Sequence, residues 1–330
     1  MTNDAVARRS PHDFRGRVRP RLQYTLGLLL LSNAGPFESG IAITIVGGVV
    51  AGLVTTGSLA QRLFGVSIAA AGLATPFAMK QMPPVSYQVT LTIASIVALR
   101  VIDLSVEQPS RPVALRVLHT FMPFDTRLAM RCRPNLNALQ LLEAVAWGVL
   151  AYVAFKAAEN SPVSTAADHY AIRWLFGLFW VVALFETISR TIRTITAMFS
   201  VEIPTLHDAP YKARSLREFW SVRWNKLVGR WLREHCYTPL ARRGYDRLAL
   251  AASFAGSAAI HLYITSVLLD VQWGLIMASL FLLQLPLLRA EDALNIRRRS
   301  ALVGRIWTLG VLILLSPLFT EPALRIFGLL

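Results

Sequence analysis

Residues 248–269 read LALAASFAGSAAIHLYITSVLL, 22 positions without one Asp, Glu, Lys or Arg. Wound as an α-helix at 1.5 Å per residue, such a run is about 33 Å long, enough to cross the roughly 30 Å of hydrocarbon in a bilayer. Several other runs in the chain share this character. Only 16% of the residues are charged and 54% are hydrophobic, whereas a soluble domain carries about 25% and about 45–50%. Backbone in hydrocarbon has to satisfy its own hydrogen bonds, which leaves helices or closed barrels. Continuous rather than alternating apolar runs select helices. The sequence predicts an all-α, polytopic bundle integral to a membrane.

Arginines orient the bundle. The formal net charge is +15, from 34 basic and 19 acidic residues, an excess that nucleic acid could use. Here the basic residues sit in short segments between apolar runs, which is the positive-inside arrangement. Membrane lipid is therefore the expected partner, and nucleic acid is not. Residues 1–21 hold Arg8, Arg9, Arg15, Arg17, Arg19 and Arg21 and read as a cytoplasmic basic tail. Candidate spans follow at 22–37, 40–60, 63–79, 85–103, 138–156, 170–199, 247–269, 273–288 and 303–320. Nine spans with the tail inside place 104–137, 200–246 and 289–302, where most remaining arginines fall, on the cytoplasmic side. They place 157–169, with Glu159 and Asp168 but no Lys or Arg, outside. The first span is short, about 24 Å of helix.

Residues 22–330 then form one membrane-embedded domain in which 200–246 is a cytoplasmic loop. Within 107–137, Pro109, Pro112, Pro123 and Pro134 alternate with apolar residues, as in short helices lying at the interface. Cys132 and Cys236 fall in cytoplasmic segments, so no disulfide framework is expected. No cleavable signal peptide stands out. Lys80, Lys156, Lys212 and Lys226 are the only lysines, and alanine is abundant, a composition of GC-rich genomes. The setting is the cytoplasmic membrane of a bacterium, or the endoplasmic reticulum of a eukaryote.

Ionisable residues deep in a span are functional candidates by default. His261 lies about 21 Å along its helix, preceded by the small residues Ala255, Gly256, Ser257, Ala258 and Ala259. Small residues admit a neighbouring helix or a ligand close to the backbone. Two readings of His261 stand: a general base, since imidazole titrates near neutrality, or a hydrogen bond that ties the bundle together. Glu186 and Arg190, four apart on one helix face, read as a structural ion pair. His119 and Asp125 are one residue further apart than the His-x4-Asp of glycerolipid acyltransferases. His12, His169, His207 and His235 read as surface histidines, with no second ligand at metal spacing. No metal site and no cofactor are expected.

One stretch sharpens the choice. SLREFWSVRWNKLVGRWLREHCYTPL, residues 215–240, resembles the wax synthase-like branch of the membrane-bound O-acyltransferases. That family's signature runs Ser/Thr-Leu-x-Asp/Glu-Phe-Trp-x-x-Arg-Trp-Asn/His, then a basic amphipathic helix ending near Tyr-x-Pro. This chain supplies Ser215, Leu216, Glu218, Phe219, Trp220, Arg223, Trp224 and Asn225, then Tyr237 and Pro239. The family sets a membrane-embedded histidine a few tens of residues later, after small residues, where this chain has His261. LLSPLFTEPALR, residues 314–325, also resembles the family's C-terminus. Leu262 follows the histidine here, where members often have Glu or Asp.

The resemblance implies a bundle of about eight to nine transmembrane helices around an internal substrate tunnel. It implies transfer of an acyl group from acyl-CoA, as co-substrate, to the hydroxyl of a lipophilic alcohol, giving an ester. His261 would deprotonate the alcohol, and Asn225 would hold the thioester or the oxyanion. Arg217, Arg223, Lys226 and Arg230 would meet the phosphates of CoA, with Phe219, Trp220 and Trp224 interleaved among them. The rival is a polytopic small-molecule transporter that relays protons through His261 and Glu186. A Trp-rich basic loop suits an acyl-CoA surface better than a transporter.

Overall fold

Lipid gives no hydrophobic reward for hiding a leucine, so helices in a bilayer meet through small residues and turn large apolar ones outward. That inversion runs through the computed structural model, which describes residues 36–55, 57–78, 84–106, 112–135, 137–160 and 166–328. The basic tail and nearly all of the expected span 22–37 lie outside the described residues. The chain divides into two units, Met1–Ser110 and Arg111–Leu330.

The first unit contains α1 (Pro36–Val54), α2 (Leu59–Ala78) and α3 (Pro84–Val106), each packed on the other two. Ala51, Leu91, Ala94, Val101 and Leu104 are buried among them. Arg100 and Asp103, three apart on one face of α3, are also buried and pair at 2.8 Å. Pairing removes the heavy cost of a lone charge in an apolar setting. Arg62 Nη1 donates to the Ser105 carbonyl at 3.2 Å, pinning the start of α2 to the end of α3.

The second unit opens with the short α4 (Val113–Phe121) and a two-residue strand β1 (Met130–Arg131). Two long helices follow, α5 (Ala138–Glu159) and α6 (Ala166–Met198). On α5 the buried residues are Ala144, Ala151, Ala154 and Ala158, a helical stripe facing α6. Leu139, Leu142, Val149 and Tyr152, each about 60% exposed, cover the other faces. A soluble protein would not tolerate that surface; acyl chains do. Strand β2 (Val201–Glu202) pairs antiparallel with β1, Met130 opposite Glu202, a minor departure from the all-α expectation.

The motif segment is followed by α7 (Lys226–Leu232), then the packed pair α8 (Asp246–Leu268) and α9 (Val271–Ala293). The chain ends in α10 (Ala301–Leu315) and α11 (Pro317–Gly328), bent by 47° at Ser316. Pro317 has no N–H to continue the ladder. Past the bend, Glu321 accepts from Arg173 Nε at 2.9 Å and Trp174 Nε1 at 3.2 Å, holding α11 against α6.

Among the described residues five helices are long and apolar enough to cross a membrane: Tyr87–Val106, Ala138–Glu159, Tyr170–Met198, Asp246–Leu268 and Val271–Ala293. The bent pair makes a sixth if counted as one span. The chain is thus a polytopic helical membrane protein. The expected spans 40–60 and 63–79 coincide with α1 and α2, but the apolar part of α1, Gly40–Val54, is shorter than a full crossing. The expected straight span 303–320 is replaced by the broken α10–α11 pair.

Candidate active site

The motif folds around its own glutamate. Ser215 Oγ accepts from Glu218 N at 2.9 Å, capping a short turn. The Glu218 carboxylate in turn accepts from Arg214 N at 2.8 Å and Arg223 Nε at 2.7 Å, close to a capping box. Burial works to raise the Glu218 pKa, but the Arg214 N–H and the Arg223 guanidinium outweigh it and hold the carboxyl below its ordinary value. Outside this segment, Asp208 N donates to Arg223 O at 2.9 Å and Lys226 N to Leu206 O at 2.8 Å. From α9, the buried Glu291 accepts from Leu216 N at 2.5 Å. Glu218 and Glu291 fix the backbone of the motif.

Two single turns of π-helix, Phe219–Arg223 and Arg233–Tyr237, flank α7. Such turns widen the helix and turn side chains that an α-helix would aim elsewhere. Between the first turn and α7 the chain doubles back through Asn225, in the left-handed region at φ 37°, where asparagine is tolerated better than most residues. The Asn225 Oδ1 accepts from Val228 N at 3.2 Å and caps α7. Its oxygen is thereby engaged, and its NH₂ remains to donate.

A cavity of about 650 Å³ opens between the motif segment, α6, α8, α9 and the broken α10–α11 pair. Trp220, Trp224 and Asn225 line it from the motif, His261 from α8, Phe281 from α9, and Ser316, Phe319 and Thr320 from the break. The bend earns its place here, since irregular backbone at membrane depth persists only inside protein or along a cavity. Helix α8 comes close to the motif through Gly256: a Cβ there would sit 3.0 Å from Cys236 Sγ. Burial raises the pKa of that thiol.

His261 Nδ1 lies 2.8 Å from the Ser257 carbonyl, one helical turn back. A carbonyl only accepts, so Nδ1 carries the proton and Nε2 keeps its lone pair. The ring stacks on Phe281, with centroids 4.2 Å apart, and meets Phe319 edge-on at 5.9 Å. Trp220 joins this group: its Nε1 donates to Gln284 Oε1 at 3.0 Å, and Gln284 Nε2 donates to the Leu280 carbonyl at 3.1 Å. Gln284 is fully buried and satisfied at both ends.

Of the residues singled out by sequence, the structure brings His261, Asn225, Phe219, Trp220, Trp224 and Arg217 to one cavity, along with Arg233. Arg223, Lys226 and Arg230 are not in its wall. Arg223 is bound to Glu218 and to the Asp208 carbonyl. Arg230 lies 3.6 Å from Asp125 and 3.4 Å from Glu234, in a cluster shared with Arg127. The backbone N–H of Lys226 donates to the Leu206 carbonyl, and its cation acts on the nearby His207.

His207 corrects a reading: it is not a surface histidine. It is 8% exposed, packed at a tilt 4.5 Å from Trp224 and edge-on to Phe185 at 5.8 Å. Burial, with the cations of Lys226 and Arg190 nearby, lowers its pKa to about 4. Glu186 Oε1 is 3.4 Å from His207 Nδ1, but Glu186 is already paired with Arg190, which also holds Glu143 at 3.0 Å. The expected Glu186–Arg190 pair is formed, as the middle of a longer chain. No local signal marked His207 or Gln284 as buried, because their partners are distant in sequence.

Residues 203–283 match the model of the Membrane bound O-acyl transferase family. The match takes in the motif, Asn225 and His261 and ends in α9, while Ser316 and Thr320 of the cavity wall lie outside it. It supports membership of that family and, with the apolar helices, suggests a membrane-bound acyltransferase. A comparison with curated proteins gives no match.

Proposed function

We propose that this protein is a wax synthase-like O-acyltransferase that moves an acyl group from acyl-CoA to the hydroxyl of a lipophilic alcohol. The observation that carries the reading is the shared cavity: a tautomerically fixed imidazole and a free carboxamide donor line one apolar chamber. Its volume lies within the roughly 300–1,000 Å³ common for small-molecule sites.

The chemistry follows from those two groups. The Nε2 of His261 takes the proton of the alcohol as its oxygen attacks the thioester carbonyl carbon. The carbonyl electrons move onto oxygen, where the Asn225 NH₂ donates to the developing charge. Collapse of the tetrahedral intermediate breaks the carbon–sulfur bond, and the imidazolium returns its proton to the departing CoA thiolate. Ester and free CoA result, and histidine is neutral again. An interior lined by Leu178, Val181, Leu309 and Leu312 excludes the water that would hydrolyse the thioester. In this reading 200–246 faces the cytoplasm, where acyl-CoA is available, and no cofactor beyond that co-substrate takes part.

A transporter would require His261 and Glu186 in one relay. Glu186 is instead closed in by Arg190 and His207, while His261 bonds to Ser257. The test incubates purified protein with labelled acyl-CoAs of several chain lengths and a panel of long-chain, terpenoid and sterol alcohols. Ester formation with release of free CoA is expected. Absence of both across the panel refutes the proposal.

A further inference from the structure

Of the four basic residues that the sequence marked for CoA phosphate, Arg223 and Arg230 are held by carboxylates and Lys226 is not in the cavity wall, which raises the question of where the phosphates would be held. The only one of the four at the cavity wall is Arg217, and its guanidinium already lies 3.3 Å from Asp292. Three residues beyond Asp292, the chain turns through Asn295, at φ 53°, into a 3₁₀ turn over Ile296–Arg298. Ile296 is buried and anchors the turn. Arg297, Arg298 and Arg299 follow, all exposed, and none forms an ion pair among the described residues. Ser300 then caps α10, accepting from Val303 N.

This arginine turn is tied at three points to the motif segment, in which Arg217 lines the cavity. Glu291 binds the backbone of Leu216, Asp292 binds Arg217, and Gly304 packs so closely on the Arg214 carbonyl that any side chain there would overlap it. The turn therefore moves with the motif rather than as a loose loop. Three adjacent guanidiniums, on a turn tied to the segment that carries Arg217, form a donor array suited to phosphate oxygens, which guanidinium forks bind in a bidentate manner.

We infer that Arg297, Arg298 and Arg299 form the subsite for the phosphate groups of the acyl donor, with the pantetheine arm passing Arg217 into the cavity. This rests on the acyltransferase reading and moves phosphate recognition from Arg223, Lys226 and Arg230 to the α9–α10 turn. Being exposed, such contacts are screened by salt. An anionic lipid headgroup offers the same phosphate chemistry and is the competing ligand for the turn.

The test compares wild type with the Arg297→Gln/Arg298→Gln/Arg299→Gln variant, in zwitterionic nanodiscs and in nanodiscs that also contain phosphatidylglycerol. The expected result is a KM for acyl-CoA raised about tenfold by loss of three exposed charge-assisted contacts, with kcat little changed. The gap narrows with acyl-pantetheine, which lacks the phosphates, and as salt is raised. An unchanged KM together with lost stabilisation by phosphatidylglycerol overturns the inference in favour of lipid, while leaving the acyltransferase reading intact. A wild type that neither turns over acyl-CoA nor is stabilised by CoA overturns both. An Arg223→Gln variant with a larger KM effect than the triple variant, at equal melting temperature, returns the phosphates to the motif.

Discussion

Two histidines, one packed on Trp224 and one sharing a cavity with it, have opposite fates. His207 is sealed behind Trp224 and Phe185, within a chain of charges that runs through Glu186 and Arg190 to Glu143. His261 stands in the wall of the cavity, its Nδ1 tied to Ser257 and its ring held by Phe281 and Phe319. The first imidazole is a wall stud: neutral, packed and out of reach of a substrate. The second is oriented by a carbonyl that leaves its reactive nitrogen open. Burial is common to both; access from a cavity and a fixed tautomer are what fit His261, and not His207, to the base proposed for acyl transfer.

The sharpest way to break this contrast is to remove each ring in turn. His261→Ala is expected to lower ester formation by about 10²–10⁴-fold, the range of a lost general base, with the elution profile and melting temperature of wild type. His207→Phe keeps the aromatic packing and is expected to retain most activity. If the two variants lose activity equally, the distinction drawn here is wrong.

Asn225→Asp comes next. The aspartate keeps an oxygen to cap α7 and tolerates the left-handed backbone, but loses both N–H donors. A fall in kcat of about 10²-fold at nearly constant stability is expected if the amide stabilises an oxyanion. A kcat within a few-fold of wild type would reduce Asn225 to a cap.

A pH series separates the histidines in another way. In the unfolded chain an imidazole takes its proton near pH 6.5, whereas folded His207 does so only near 4. Between these values the unfolded state binds more protons, so stability is full above the window and declines as pH falls through it. The loss reaches about 3 kcal/mol at most. In melting curves His207→Phe should flatten this dependence between pH 6.5 and about 4; an unchanged slope assigns it to other groups.

The smallest effect concerns the tie behind Trp220. Gln284→Leu leaves the indole N–H without its partner, at a cost of about 1–3 kcal/mol. The double variant Gln284→Leu/Trp220→Phe removes both partners and should recover part of that loss. A double variant no better than the single shows that the hydrogen bond is not what matters there.

Local chemistry made much of this legible beforehand. Helices α3, α5, α6, α8 and α9 begin and end within about five residues of the apolar runs, because desolvating backbone is costly wherever the sequence is apolar. The Phe-Trp…Arg-Trp-Asn cluster and the histidine after small residues were equally visible, since both are contiguous patterns. Exceptions arose where one local signal was asked to do too much. The run 303–320 looks continuous, yet Pro317 and the Glu321 contacts to Arg173 and Trp174 break it into α10 and α11. Charge in the motif looked like a phosphate surface, yet Arg223 answers to Glu218 and Arg230 to Asp125 and Glu234.

Order along the chain was enough to specify a membrane bundle, its main helices and the two groups proposed for acyl transfer, because length, hydropathy and motif spacing are properties of neighbours. Which side chains meet was decided elsewhere. Trp220 with Gln284, Leu216 with Glu291 and Arg127 with Glu234 join residues 64, 75 and 107 positions apart. Those long-range pairings bury one histidine and open a chamber beside another, and among the described residues they leave Arg297–Arg299 without an ion pair. Each pairing depends on helices packing first, and a partner that arrives only through packing leaves no trace in the residues beside it.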